Sequence, residues 1–331
     1  MNKKEFLQYI STSEESGKTL FAPILMHFIA RYAGGNYARF ASDYRFLVEA
    51  NLRALDDFDM DMVGLISDPY RETSAFGARI EFIPEGVPRC LNYVITTESD
   101  IRILGRPDVY KCERTLDRIL GAELLAKRVN GKVPVFGWIE GPMAEACDLS
   151  GIEQFMVMTM MDPDNANILL DKCLLMAKDF ARAQIEAGCD IIGIGDAICS
   201  QIDPETYSIF VKERHRELIS FIHQCGAMVK LHICGDIAHL LPSINDLEID
   251  ILDLDWQVDP LKAFEIMGEE VIRCGNIDPR FVKDKREDEI ITACKLVCKK
   301  ERGKRFILSA GCEIIVTTPV QNLMAMRSAS I

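Results

Sequence analysis

No stretch of this chain approaches the ~20 uninterrupted apolar residues that a membrane-spanning helix needs. The opening run, MNKKEFLQYISTSEES, has no apolar central region and no small-residue cleavage site. It reads as a short amphipathic helix, and the protein is expected to be cytoplasmic and not to engage a membrane. Positive charge is in deficit: 38 Lys and Arg stand against 51 Asp and Glu, a net charge of -13. Such a surface repels phosphate backbones, so a nucleic-acid partner is not expected. There is no CxxC pair and no disulfide-framework spacing, although the chain has 12 cysteines, and a chain of this length needs no such staples. Most of them (Cys90, Cys173, Cys189, Cys225, Cys274, Cys294 and Cys298) sit among apolar neighbours and read as buried small hydrophobes. So many free thiols suit a reducing or anaerobic cytoplasm. No Gly-rich loop follows the first apolar run, which argues against dinucleotide binding. No internal repeat or low-complexity tract is present.

What the chain does contain is a repeated unit, a short apolar run followed by a longer helical pattern. The runs fall at 23–28, 61–66, 134–139, 190–194, 228–233, 251–254, 271–275 and 306–310. Continuous rather than alternating apolar character fits parallel strands covered on both faces. Helical periodicity occupies 36–55, 164–187, 204–224, 284–300 and 319–327, with Asp-Pro starts at 162–163, 203–204, 259–260 and 278–279. Eight strands alternating with helices predict an α/β fold, a single (β/α)8 TIM barrel over 1–331; an open doubly wound sheet is the alternative. The interval 67–133 is too long for one helix. Within it, 78–83, a Pro-Glu-Gly turn and 89–95 read as a β-hairpin excursion between strands two and three, not a second domain.

In such a barrel the active site lies at the C-terminal strand ends. Those ends carry His27, Asp68, Glu140, Asp196, His232 with Cys234, Asp253 with Asp255, Asn276 and Cys312. In Lys230-Leu231-His232-Ile233-Cys234-Gly235, the imidazole and thiol are two residues apart and share a face of the strand. That is a zinc-type ligand pair, and Gly235 lets the backbone turn away after it. Cys312, at the end of the last strand, supplies a third soft donor. Three protein ligands with room for a fourth is the pattern of a catalytic zinc. The competing reading is a core histidine with two unrelated core cysteines.

At this point the residues resemble a known superfamily, uroporphyrinogen decarboxylase and its zinc-dependent methylcobamide:thiol methyltransferase relatives, over nearly the whole chain. Decarboxylases carry a first-strand signature similar to M-R-Q-A-G-R-Y. Here it is Met26-His27-Phe28-Ile29-Ala30-Arg31-Tyr32, in which only Arg31-Tyr32 keep the later part and the first arginine is absent. Near the end, Gly311-Cys312-Glu313-Ile314 stands where decarboxylases resemble G-H-G-I, followed by Thr318-Pro319-Val320-Gln321-Asn322. His232-Ile233-Cys234-Gly235 resembles the methyltransferase zinc motif. Glu140-Gly141-Pro142, Gly193-Ile194-Gly195-Asp196 and Ile66-Ser67-Asp68 also fit the superfamily, though Asp68 equally reads as a cap on its turn.

The resemblance implies a (β/α)8 barrel, Zn2+ held by His232, Cys234 and Cys312, and a methylated corrinoid of the methylcobalamin type, held on a separate corrinoid protein, as donor. The acceptor is a small thiol such as coenzyme M, attacking as a zinc-activated thiolate. Glu140 is expected to hold the fourth zinc position or take the thiol proton, unless it is a structural carboxylate. Asp196 and Asp253 are expected to orient His232. Asp255 and Trp256 are expected to line the mouth, and His27, Arg31, Asp68, Asp253, Trp256 and Asn276 are assigned to substrate. Three alternatives remain: a metal-free uroporphyrinogen-type decarboxylase, zinc-dependent methyl transfer from a folate to homocysteine, and a non-enzymatic barrel that docks a corrinoid protein. The sequence does not specify the oligomeric state.

Overall fold

A computed structural model describes Met1 and residues 3–331; Asn2, within the run read as the N-terminal helix, lies outside them. Eight parallel strands make one sheet: β1 (Leu20–Phe21), β2 (Val63–Gly64), β5 (Val135–Glu140), β6 (Ile191–Gly195), β7 (Met228–His232), β8 (Ile251–Leu254), β9 (Ile272–Ile277) and β10 (Phe306–Ala310). A separate antiparallel pair, β3 (Ile80–Glu81) and β4 (Arg89–Cys90), is the hairpin between the second and third barrel strands. The barrel order runs β1-β10-β9-β8-β7-β6-β5-β2, the (β/α)8 sequence with each strand beside its successor.

The barrel closes where β1 meets Asp61, two residues before β2. The Asp61 backbone N–H donates to Phe21 O at 2.9 Å, and the Phe21 N–H donates to Asp61 Oδ2 at 2.7 Å. Tyr9 and Arg327 also donate to the Asp61 carboxylate, at 2.7 and 3.2 Å. One side chain thus performs the pairing that two-residue strands cannot.

Inside the barrel, Leu20, Met62, Ile191, Met228, Ile251, Ile272 and Ile307 form one buried cluster with Phe6 and Ile10. Phe6 and Ile10 lie four apart on the helix Lys3–Glu15, which therefore presents one apolar face to the N-terminal end of the barrel. Among the described residues no helix is long and apolar enough to cross a membrane.

The expected first strand at 23–28 is corrected. The ladder ends one bond after Phe21, where the Ala22 N–H donates to Leu308 O. Pro23 has no N–H to continue it, and His27–Tyr32 is a helix. The helical pattern at 36–55 is also divided, into Tyr37–Ser42 and Tyr44–Asp57. Asp43 ends the first and its carboxylate caps the second through the Arg45 N–H.

Candidate metal centre

Alternation along β7 directs Met228, Lys230 and His232 into the barrel. The chain leaves the strand at His232, and Cys234 follows on the same side. The His232 Nε2 atom lies 2.8 Å from Cys234 Sγ, and Cys234 Sγ lies 3.4 Å from Cys312 Sγ. All three donor atoms fall within 4.8 Å of one another, at the C-terminal mouth. The structure thus brings together the three residues singled out in the sequence; Glu140 is not part of that set.

The second ring nitrogen is committed. Asp253 Oδ2 sits 2.9 Å from His232 Nδ1, and the other carboxylate oxygen, Oδ1, is 3.0 Å from Lys230 Nζ. Asp255 braces the turn after the cysteine, its Oδ2 accepting the Gly235 N–H at 2.7 Å and its Oδ1 the Trp256 N–H at 2.6 Å. The Trp138 ring stands 5.7 Å from that of His232. It fits there because Gly193 and Gly195 face it; a Cβ at either would come within 2.3 and 2.7 Å of the indole.

The electrostatics separate charge within the triad. A hydrogen bond from Cys234 outweighs burial and, with help from His232, pulls the Cys312 thiol down to about 4. Cys234, which gives that bond and is buried, is pushed up. Burial opposes charge on His232, but Asp253 and Cys312 prevail and raise it to about 10.

Glu140, at the end of β5, is buried. It accepts from Trp138 Nε1 at 3.1 Å and from Arg71 Nη2 at 3.4 Å. Burial, then the neighbouring Glu72, pushes its carboxyl well above the usual range.

Asp196 points away from the triad. Its carboxylate accepts the Met143 and Ala144 N–H groups at 3.3 and 2.8 Å and lies 2.9 Å from His215 Nε2. It caps the helix Pro142–Ser150 from another strand. Gly141, the helix's own N-cap, has no side chain to do so, and a Cβ there would sit 2.3 Å from Asp196 Oδ2. Tyr207 donates to His215 Nδ1 at 2.9 Å, closing a fully buried network. Asp196, Cys199 and His215 also lie within 4.8 Å of one another, but the Asp196 carboxylate and both His215 ring nitrogens are engaged in these bonds. His215, which the sequence did not single out, belongs to this network. The partner of His232 is Asp253.

The other expected residues divide. Asp68 is buried and clamped by Arg114 through two bonds of 2.9 and 2.6 Å, and it also accepts the Tyr70 N–H at 3.2 Å. It locks the loop after β2. Asn276 Nδ2 donates to Val258 O at 2.8 Å, tying β9 to the loop after β8. Trp256 is partly exposed, with the Arg280 guanidinium 5.0 Å over its ring. The His27 N–H donates to Glu313 beside Cys312, so His27 lies at the mouth. Arg31 is exposed, and its side chain makes no ion pair among the described residues. Lys230, beside this centre, was not among the residues expected there. The available signal was a lysine inside an apolar strand, on the same face as the histidine.

A family model described as uroporphyrinogen decarboxylase (URO-D) matches residues 2–330. The uroporphyrinogen decarboxylase of Geobacter sulfurreducens is 26% identical over 289 residues, covering 84% of this chain and 82% of its own. The methylcobamide:CoM methyltransferase MtaA of Methanosarcina barkeri is 28% identical over 211 residues, covering 62% of this chain and 60% of its own. A solved structure of a methyltransferase from Methanosarcina mazei superposes with a TM-score of 0.86 at 21% identity, covering 96% of each chain. At that identity the likeness is one of fold.

Proposed function

The chain belongs to the uroporphyrinogen decarboxylase family, and from that premise we propose that it is a zinc-dependent methyltransferase, moving a methyl group from a methylated corrinoid on a partner protein to a small thiol. The observation that carries this reading is the convergence of one imidazole nitrogen and two sulfurs within 4.8 Å at the mouth. That donor set is one zinc selects, and three protein ligands leave a position for an exogenous group. The relative MtaA is named for a methylcobamide donor and for CoM as acceptor, which supplies the donor and acceptor classes.

His232, Cys234 and Cys312 would hold the metal. Bound there, zinc would lower the pKa of an incoming thiol so that it reacts as a thiolate at neutral pH. The chain's own residues do the rest. Asp253 holds the His232 proton on Nδ1, so that Nε2 would be the atom to give up its proton for the metal. Two sulfur ligands put more charge on the cation than imidazoles would, so an acceptor sulfur keeps its nucleophilicity. Asp255 holds the turn that carries Cys234. Glu140, whose raised pKa favours a proton over a charge, is assigned with Trp138 to the wall of the site.

The decarboxylase reading is favoured by one observation, the longer alignment with uroporphyrinogen decarboxylases. Elemental analysis and turnover separate the two. Purified protein should carry about one zinc per chain and demethylate methylcobalamin with one member of a thiol panel. Cys312→Ala should lose the metal and more than ~100-fold of the rate, beyond what an outer partner costs. A metal-free protein that releases carbon dioxide from a carboxylated tetrapyrrole would establish the decarboxylase. A Cys312→Ala protein with full zinc and full rate would refute the ligand assignment.

A further inference from the structure

Lys230 is 1% exposed inside the barrel, one strand layer below His232. Its ammonium lies 3.0 Å from Asp253 Oδ1, 4.0 Å from Cys274 Sγ and 5.3 Å over the Phe136 ring. Burying an ammonium costs several kcal/mol before its partner repays any of it. The interior around it is filled by aromatic rings, for which Gly64 and Gly193 make room: a Cβ at either would come within 2.1 and 2.3 Å of Phe136 and Trp138. Apolar side chains thus fill this space, and filling it does not require a charge.

We propose that Lys230 is a positioning residue: it dictates which way the side chain at 253 faces and, through it, which nitrogen of His232 is free to bind metal. The inference rests on the zinc reading above. The pairing of β7 with β8 sets Lys230 opposite Ile251 and Leu231 opposite Leu252, which carries Asp253 up beside His232. An ammonium has three donors and no acceptor, so the atom of residue 253 that faces it must be an acceptor. One carboxylate oxygen is taken by Lys230, and the other faces His232 Nδ1 at 2.9 Å. That oxygen can only accept, so the neutral, metal-binding form of the imidazole keeps its proton on Nδ1 and presents the Nε2 lone pair to the sulfurs' side.

The consequence is a rescue that additive damage does not produce. In Asp253→Asn the amide oxygen must face Lys230, so the NH2 faces His232 Nδ1. The ring proton then moves to Nε2, the wrong atom for a ligand. Removing the lysine as well frees the amide to turn over, present its oxygen to Nδ1–H and restore the ligating tautomer. Lys230→Met keeps the length of the side chain without its charge, and Lys230→Gln supplies an amide that pairs with either face.

The test is zinc affinity by chelator competition, with thermal melting of the metal-free proteins as the control for folding. Asp253→Asn should bind zinc ~100-fold more weakly than wild type, the upper end of what an outer partner costs. Lys230→Met/Asp253→Asn and Lys230→Gln/Asp253→Asn should return to within ~10-fold of wild type. If the methionine double variant does not fold, the glutamine one gives the same readout. Were Lys230 only structural, each substitution would lower the melting temperature and the losses of zinc affinity would accumulate. Wild-type affinity in Asp253→Asn, or folded double variants no tighter than that single variant, overturns the proposal. A wild-type protein that binds no zinc overturns the zinc reading itself.

Discussion

Replacing Asp68 with asparagine tests whether this residue is a structural clamp. Its side chain is fully buried, and both oxygens are engaged by Arg114, at 2.9 and 2.6 Å. Burial raises the carboxyl's pKa, but Arg114 outweighs it, with Arg71 and Arg118 adding, and holds it at about 2 against an ordinary 3.8. A depression of nearly two units corresponds to about 2.4 kcal/mol of stability that depends on ionised Asp68. The folded pKa lies below the unfolded one, so this stability is full above about pH 4 and is lost as pH falls toward about 2, with about 1 kcal/mol gone by about pH 3. At neutral pH the substitution also leaves Arg114 as a buried charge without its partner, and the total cost is ~3–5 kcal/mol. Urea unfolding of both proteins at a series of pH values measures this. The gap between them should be widest near neutrality and close by about 1 kcal/mol on acidification to about pH 3. A cost below ~1 kcal/mol at neutral pH, or a gap independent of pH, would refute the clamp.

Two further substitutions test the supports around the centre. Asp196→Ala removes a helix cap and leaves the His215 ring without its carboxylate, so it should destabilise by about 3 kcal/mol while zinc content per folded chain stays at the wild-type value; loss of metal from a stable variant would return Asp196 to the site. Asp61→Ala opens the barrel seam, leaving the Phe21 N–H and the Tyr9 hydroxyl without an acceptor. It should cost about 2–3 kcal/mol, and hydrogen exchange at Phe21 should accelerate well beyond that at β6; uniform protection around the barrel would show that the seam does not depend on this side chain.

Most barrel strands were legible because a parallel strand covered on both faces must be apolar throughout, and β5, β6 and β7 are buried at every position. The first strand was misplaced because the apolar run 23–28 looks like the others, whereas the pairing ends before Pro23. The division of helix 36–55 at Asp43 was hidden because a capping aspartate on a polar helix face leaves the apolar period intact. His232 and Cys234 were legible as a pair because two-residue spacing on a strand fixes a shared face. Asp253 was expected beside His232, and the structure puts it there. The expectation that Asp196 would also orient the ring failed geometrically: its carboxylate turns outward to a helix N-terminus, a choice that depends on Gly141 leaving it space.

The sequence alone determined the eight-strand alternation, the donor types and the common direction of His232 and Cys234, since these follow from local periodicity and side-chain chemistry. Only the tertiary structure decided that Cys312, distant along the chain, arrives 3.4 Å from Cys234, and that Asp253 serves the imidazole while Asp196 serves a helix. It also decided that a buried lysine stands behind that carboxylate. Hydrogen-bond partners across strands depend on register and on barrel closure, which are global properties of the packed chain and leave no mark on any single stretch of it.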